Sequence, residues 1–171
     1  MVVDSGSEDG TAEMVSDYLR CSSLENSRWD IISFPEPGKS KAINIALQKI
    51  EAGIVIMSDA DAKISPGWIR VAVERLSEES IGVVSGIENR RSSNLDEFSV
   101  YYRRKSNWLR LRESAEGSTP ILEGSVIAWK VEALGDFRLN EYMNADDAQI
   151  GLASVRRGYR SIVDPRIHFE D

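Results

Sequence analysis

Ile54-Val55-Ile56-Met57-Ser58-Asp59-Ala60-Asp61 decides the fold class of this 171-residue chain. Residues 54–58 read as a buried strand, and two carboxylates follow at its carboxyl end. In open α/β sheets, ligands bind in the crevice outside the carboxyl ends of the strands. Two aspartates two positions apart on extended backbone point to the same side. Facing one ligand, such a pair repels itself unless a cation sits beside it. Mg²⁺ typically takes one or two carboxylates and completes its shell with substrate phosphates. A nucleotide diphosphate is the natural completion. The same letters also read as a strand ending in a solvated polar turn. A calcium loop is excluded, because it needs an acid or amide at 63, Gly at 64 and Glu at 70. Those positions hold Lys63, Ile64 and Arg70.

Outward from that stretch, strands and helices alternate. Val2-Val3 leads into Asp4-Ser5-Gly6-Ser7-Glu8-Asp9-Gly10-Thr11, a loop after a strand, and Asp9 or Thr11 caps the next helix. Ile31 to Phe34 is a short strand stopped by Pro35 and Pro37. Gly38-Lys39-Ser40-Lys41 opens a helix with Ile43, Ala46, Leu47 and Ile50 at helical spacing. It is not a P-loop, which needs Gly where Ser33 stands. Two lysines at a helix amino end suit an anion, or are simply solvated. After Asp61, Ser65 reads as a cap and Pro66 as the first helical residue, with Ile69, Ala72, Val73 and Leu76 as the buried stripe. Gly82 to Gly86 is the next strand. The alternation predicts a mainly parallel sheet with helices on both faces.

Beyond residue 86 the pattern changes. Residues 95–112 predict a long helix with Phe98, Tyr101, Tyr102, Lys105 and Leu109 near one face. Ile121 to Trp129 predicts a strand with Gly124 inside it, where a ligand or backbone comes close. Val131 to Leu134 is a helical turn ended by Gly135. Asn144 caps a last helix whose first turn holds Asp146 and Asp147, and acids there also complement the helix dipole. Ser161 to Val163 is a closing strand stopped by Asp164-Pro165.

The composition limits the partners. Hydrophobic residues at 42% and charged residues at 29% describe an ordinary globular domain, expected to be a single one over 1–171. The net charge of −7 argues against nucleic acid. Yet between Arg90 and Arg112 stand seven basic residues against two acidic ones. That run suits an anionic acceptor, a phosphate, a peripheral membrane contact through 90–112, or a plain solvated face. Cys21 and His168 are the lone residues of their types, so no zinc cluster of the Cys/His kind forms. One cysteine, no signal peptide and no apolar run near the ~18 residues of a span lead to the expectation of a cytoplasmic protein, at most peripheral at a membrane.

These segments together resemble the family 2 glycosyltransferases. Val2 to Thr11 is similar to the family's second strand and loop, and Gly38 to Leu47 to its lysine and Ala-x-Asn helix. Asp59-Ala60-Asp61 matches its metal-binding Asp-x-Asp. Glu123-Gly124-Ser125, with Ala133-Leu134-Gly135-Asp136-Phe137, resembles its acceptor-side segment. Asp146-Asp147, with Ile150-Gly151-Leu152 and Arg157-Gly158-Tyr159, matches the acid pair that carries the catalytic base. Asp146 stands where many members have Glu.

The resemblance implies a GT-A fold, with a nucleotide-binding half of about 1–86 and an acceptor-binding half of about 87–171. It implies an inverting transfer of a sugar from a nucleotide diphosphate sugar, most often a UDP-sugar, to the hydroxyl of a saccharide or lipid-linked acceptor. Asp61 would hold Mn²⁺ or Mg²⁺, with Asp59 on the ribose or the metal and His168 as a further metal candidate. Asp147 would be the general base. Asp4 would bind base or ribose, Lys39 or Lys41 would lie near base or phosphates, and Glu123, Gly124 and Asp146 would meet substrate. Members also begin with a central strand and a Pro-x-Tyr-Asn-like loop that this sequence does not show. The expectation is a truncated chain, a wrongly assigned start, or a strand supplied by another copy, with backbone groups left unpaired in mid-sheet. A non-catalytic nucleotide-binding or assembly module, homo-oligomeric or not, is the alternative.

Overall fold

A computed structural model describes residues 1–22, 29–51, 53–89 and 97–170. The chain forms two compact units, Met1–Glu51 with Arg138–Asn144, and Ala52–Phe137 with Ala145–Asp171.

The first unit holds β1 (Val2–Ser5), α1 (Thr11–Cys21), β2 (Ile31–Phe34) and α2 (Lys39–Leu47). β1 and β2 pair in parallel, Val2 opposite Ile31 and Asp4 opposite Ser33. The Asp9 carboxylate accepts from the Thr11 N–H at 3.1 Å and its hydroxyl at 2.5 Å, but the residue before α1 is Gly10, at φ 80 and without a side-chain cap, instead of a capping Asp9 or Thr11. Those bonds favour the ionised form and lower the Asp9 pKa. Gly6 sits at φ 79, and a Cβ there would meet the Pro35 carbonyl at 2.7 Å, so the loops after β1 and β2 are pressed together. Apolar burial is thin, and α1 buries no residue. Asn44 of α2 is buried and acts as a clamp. Its side-chain amide donates to the Leu139 carbonyl at 3.0 Å and to Glu141 at 3.1 Å, and its oxygen accepts from the Leu139 N–H at 2.8 Å.

The second unit holds β3 (Ile54–Ser58), β4 (Lys63–Ile64), α3 (Trp68–Leu76), β5 (Ile81–Glu88), α4 (Glu97–Glu116), β6 (Val126–Lys130), α5 (Val131–Leu134), α6 (Asp146–Arg156) and β7 (Arg160–Glu170). Its sheet runs β3-β6-β5-β7-β4. β5 and β7 are parallel, and β6 is antiparallel to both β3 and β5. Thus β3, β5 and β7 share one direction, while β6 and β4 run against it. Alternation of elements predicts the shared direction but does not reveal the reversed strands. Among the described residues, β1 bonds to β2 only and β3 to β6 only, so each leaves one open edge.

The core lies between this sheet and α3, where Trp68, Ala72 and Leu76 meet Ile81, Val84, Ile162 and Phe169. Ile69 and Val73, expected in the stripe, are exposed. Trp68 takes the inward place one turn before Ala72 instead, and the helix also starts later than expected. Gly67, at φ 82, precedes α3, while Ser65 extends the β4 ladder, donating its N–H to the His168 carbonyl at 2.8 Å. Ser65 and Pro66 therefore lie before the helix instead of capping it.

Three further boundaries differ from expectation. Residues 121–125 are not a strand; Gly124 and Ser125 form a turn, and β6 begins at Val126. Asp164-Pro165 does not stop β7. The ladder shifts between Ser85↔Val163 and Ile87↔His168, and buried Asp164 holds the bulge by accepting from the Arg166 N–H at 2.8 Å. The residue before α6 is Ala145, at φ 68, instead of a capping Asn144. The helix expected over 95–112 is α4, with residues 95 and 96 outside the described residues.

Candidate functional site

The shared direction of β3, β5 and β7 brings their carboxyl ends to one edge of the larger sheet, and reversed β6 brings its amino end there. At that edge stand Asp59 and Asp61 after β3, Glu88 closing β5, His168 near the end of β7, and Glu123-Gly124 before β6. The position of Asp59 is fixed by backbone. Ser58 pairs with Val126, the Asp59 N–H donates to the Ser125 carbonyl at 3.0 Å, and its own carbonyl accepts from Ala62 at 3.4 Å. Asp61 is exposed in the turn that follows.

α6 also points its amino end at this edge. A Cβ on Gly82, at the start of β5, would meet Ser154 Oγ at 2.3 Å, so the carboxyl half of α6 lies over the opposite edge. A Cβ on Gly151 would lie 3.4 Å from Leu122. Asp147 lies one helical turn earlier, on the same side of α6 as Gly151. Asp146 and Asp147 are half-buried in the first turn of α6.

Glu123 is held by the protein itself. Its Oε1 accepts from Arg103 at 3.1 Å and from Arg110, and its N–H and carbonyl both bond Ser85 Oγ. Arg103 also pairs with buried Glu88 at 2.7 Å. Burial raises the Glu123 pKa, with Arg110 and Arg103 working against it and Glu88 adding to it. Arg103 and Arg110 belong to the basic run seen in the sequence, which does not show that they turn inward. Glu88 escapes a sequence reading, its one signal being an acid that closes a mostly apolar strand. A cleft of about 250 Å³ runs between the end of β5 and α4, lined by Asn89, Phe98, Tyr102, Arg103 and Asn107 among others.

His168 contacts Asn89, with ring Nδ1 3.3 Å from the amide. Among the described residues, no three His, Cys, Asp or Glu side chains come together as a metal-binding group, so His168 is not joined to Asp59 and Asp61. Two carboxylates at a backbone-fixed turn still fit Mg²⁺ or Mn²⁺, which keep positions for phosphate and water.

In the first unit, Asp4 lies half-buried near the end of β1 and Lys39 opens α2. Lys41 pairs with Glu36 at 3.1 Å and lies over the Phe34 ring. The hydrogen bond from Lys41 lowers the Glu36 pKa.

Residues 1–137 match the model of the family described as Glycosyl transferase family 2. The chain belongs to that family. Its GT-A fold is similar to that of PcManGT, a mannosyltransferase from Pyrobaculum calidifontis in complex with GDP-Man and Mn²⁺. That similarity has a TM-score of 0.82 and 29% identity over 99% of this chain and 46% of that one. S. aureus TarS 1-349 gives a TM-score of 0.67 at 17% identity, over 98% of this chain and 49% of its own. Glucosyl-3-phosphoglycerate synthase from Mycobacterium tuberculosis, in complex with phosphoglyceric acid, gives 0.61 at 20% identity, over 99% and 58%. The last two speak to fold alone. The chain spans about half the length of these structures. No curated protein matches it. Among the described residues, no helix is long and apolar enough to cross a membrane.

Proposed function

We propose that this chain carries a metal-dependent, inverting transfer of a sugar from a nucleotide diphosphate sugar to an acceptor hydroxyl. The observation that supports it is the single edge of the larger sheet, where Asp59-Ala60-Asp61 is fixed against β6 and α6 presents Asp147. Asp61 with Asp59 would hold Mn²⁺ or Mg²⁺. When bound, the ion offsets negative charge growing on the departing diphosphate.

Asp147 would take the proton from the acceptor hydroxyl as that oxygen attacks the anomeric carbon. Asp146 would orient substrate beside it. Glu123 and Gly124 border the acceptor side, with the Glu123 carboxylate shaping the loop through Arg103 and Arg110. Asp4 would bind base or ribose, and Lys39 or Lys41 would lie near base or phosphates, so the nucleotide-binding half is about 1–86 and the acceptor half about 87–171. The GDP-Man and Mn²⁺ held by the 29%-identical mannosyltransferase support a guanine donor. UDP-sugars remain the general preference of the resemblance. The acceptor is a saccharide or a lipid-linked group.

A thermal melt with UDP, GDP, CDP and dTDP, each with and without Mn²⁺, tests the donor site. A hundredfold excess over the dissociation constant adds about 2.7 kcal/mol of stability. A metal-dependent shift for one nucleotide, lost in Asp61→Asn, is expected. Asp147→Asn should then lower transfer about 10²–10⁴-fold while nucleotide binding stays. No shift for any nucleotide would leave a fold without turnover.

A further inference from the structure

α4 is amphipathic in the reverse sense. Its polar side faces the protein, with Arg103 and Arg110 bonded to Glu88 and Glu123 and Ser114 buried beneath the helix. Its aromatic side faces out. Phe98, Tyr101, Tyr102 and Trp108 are all more than half exposed. At 3.6 residues per turn they fall, with Lys105 and Arg112, on one arc about a third of the circumference wide. Lys105 Nζ lies 5.2 Å from the Tyr101 ring centre, and the Arg112 guanidinium 5.8 Å from that of Trp108. Among the described residues neither cation pairs with a carboxylate, although the chain carries a net charge of −7. An uncovered arc of four rings is an exposed patch of the kind that marks an interaction surface.

We propose that this outer face of α4 rests on an anionic bilayer surface. Rings with polar tips interleaved with long cationic side chains suit the boundary between headgroups and acyl chains, and helices with that composition lie in the plane of the interface. Charge decides the occupant. A second copy meeting this face across a two-fold axis would bring Lys105 and Arg112 against themselves, whereas anionic lipid complements them. The contact uses none of the residues assigned to donor or base, so it stands or falls apart from the chemistry proposed above.

The test is co-sedimentation of the full chain with extruded vesicles, phosphatidylglycerol with phosphatidylcholine in equal parts against phosphatidylcholine alone. Binding to the mixed vesicles only is expected. Lys105→Glu with Arg112→Glu should weaken it by at least about fivefold for each cation lost. Tyr101→Ser with Trp108→Ser should weaken it independently of salt. All four positions are on the exposed face, and both variants should keep the nucleotide-dependent melt of the parent. Wild-type protein left in the supernatant would overturn the proposal. So would equal binding of the parent and the aromatic variant, or a dimer in sedimentation velocity that Trp108→Ser dissolves. Loss of nucleotide binding with vesicle binding intact would count against the donor site alone.

Discussion

The two sheets are held together by different means. In the larger, every residue of β5 but Ile87 is buried, and α3, α6 and β7 pack around it. In the smaller, no residue of β1 or β2 is fully buried, and order comes from Asn44, the Asp9 turn and the pressed Gly6 loop. Hydrophobic burial scales with area removed from water, so the larger sheet is a rigid platform and the smaller depends on a few polar contacts. The residues assigned to the ion and the base stand on the platform. Those assigned to base and ribose stand on the lighter frame.

The sharpest way to break this contrast is truncation. Leu76→Ala, at 2% exposure, should cost about 2–5 kcal/mol in urea unfolding, while Ile31→Ala in the half-buried β2 should cost about 1 kcal/mol. Equal costs would end the comparison. Next is the polar lock. Glu123→Ala removes the acceptor that Arg103 and Arg110 share and should cost about 1–3 kcal/mol. Lys41→Met in the first unit, which removes a largely exposed pair, should stay within about 0.5 kcal/mol. Smaller again is Ala145→Gly, expected to raise stability by about 1 kcal/mol by relieving a left-handed alanine. A loss there would mean that a contact of the alanine methyl outweighs the strain.

The smallest effect is a difference in slope with pH. Burial pushes the Asp164 carboxyl up, but the Arg166 hydrogen bonds and the Arg166 and Arg75 charges hold it below its ordinary 3.8 overall. Its contribution is present above pH 3.8 and is lost as pH falls through the folded value. Glu123 is raised above 4.5, so its contribution has the opposite sign: present below 4.5 and lost as pH rises through the folded value. Asn and Gln mimic the protonated side chains, so melts of both variants should converge on the parent at the acid end. As pH rises the parent should become more stable than Asp164→Asn and less stable than Glu123→Gln.

Much of this architecture was legible in the letters. Ile54 to Asp61 announced a strand with carboxylates at its carboxyl end, and β3 ends where that stretch says it should. The periodicity of Phe98, Tyr101, Tyr102, Lys105 and Leu109 marked one face of α4 correctly. It could not say that the face is outside, because the partners that turn Arg103 and Arg110 inward, Glu88 and Glu123, lie on other elements. Of the seven basic residues between 90 and 112, two are thus inside; Arg90 and Arg91 lie outside the described residues. Ser65-Pro66 carried a helix-start signal and lost to strand pairing with β7. Asp164-Pro165 carried a stop signal and lost to the arginines around Asp164. Each miss is a tertiary partner overriding a local preference.

Asn44 has a consequence for how the chain is made. Its clamp joins α2 to residues 95 positions later, at Leu139. A ribosome that has released the first unit's strands and helices must still emit nearly all of β3 through α5 before that clamp can close. Domains emerging from synthesis usually complete themselves amino end first. Here the first segment out must wait, its two strands held only by local turns, until the middle of the chain has passed.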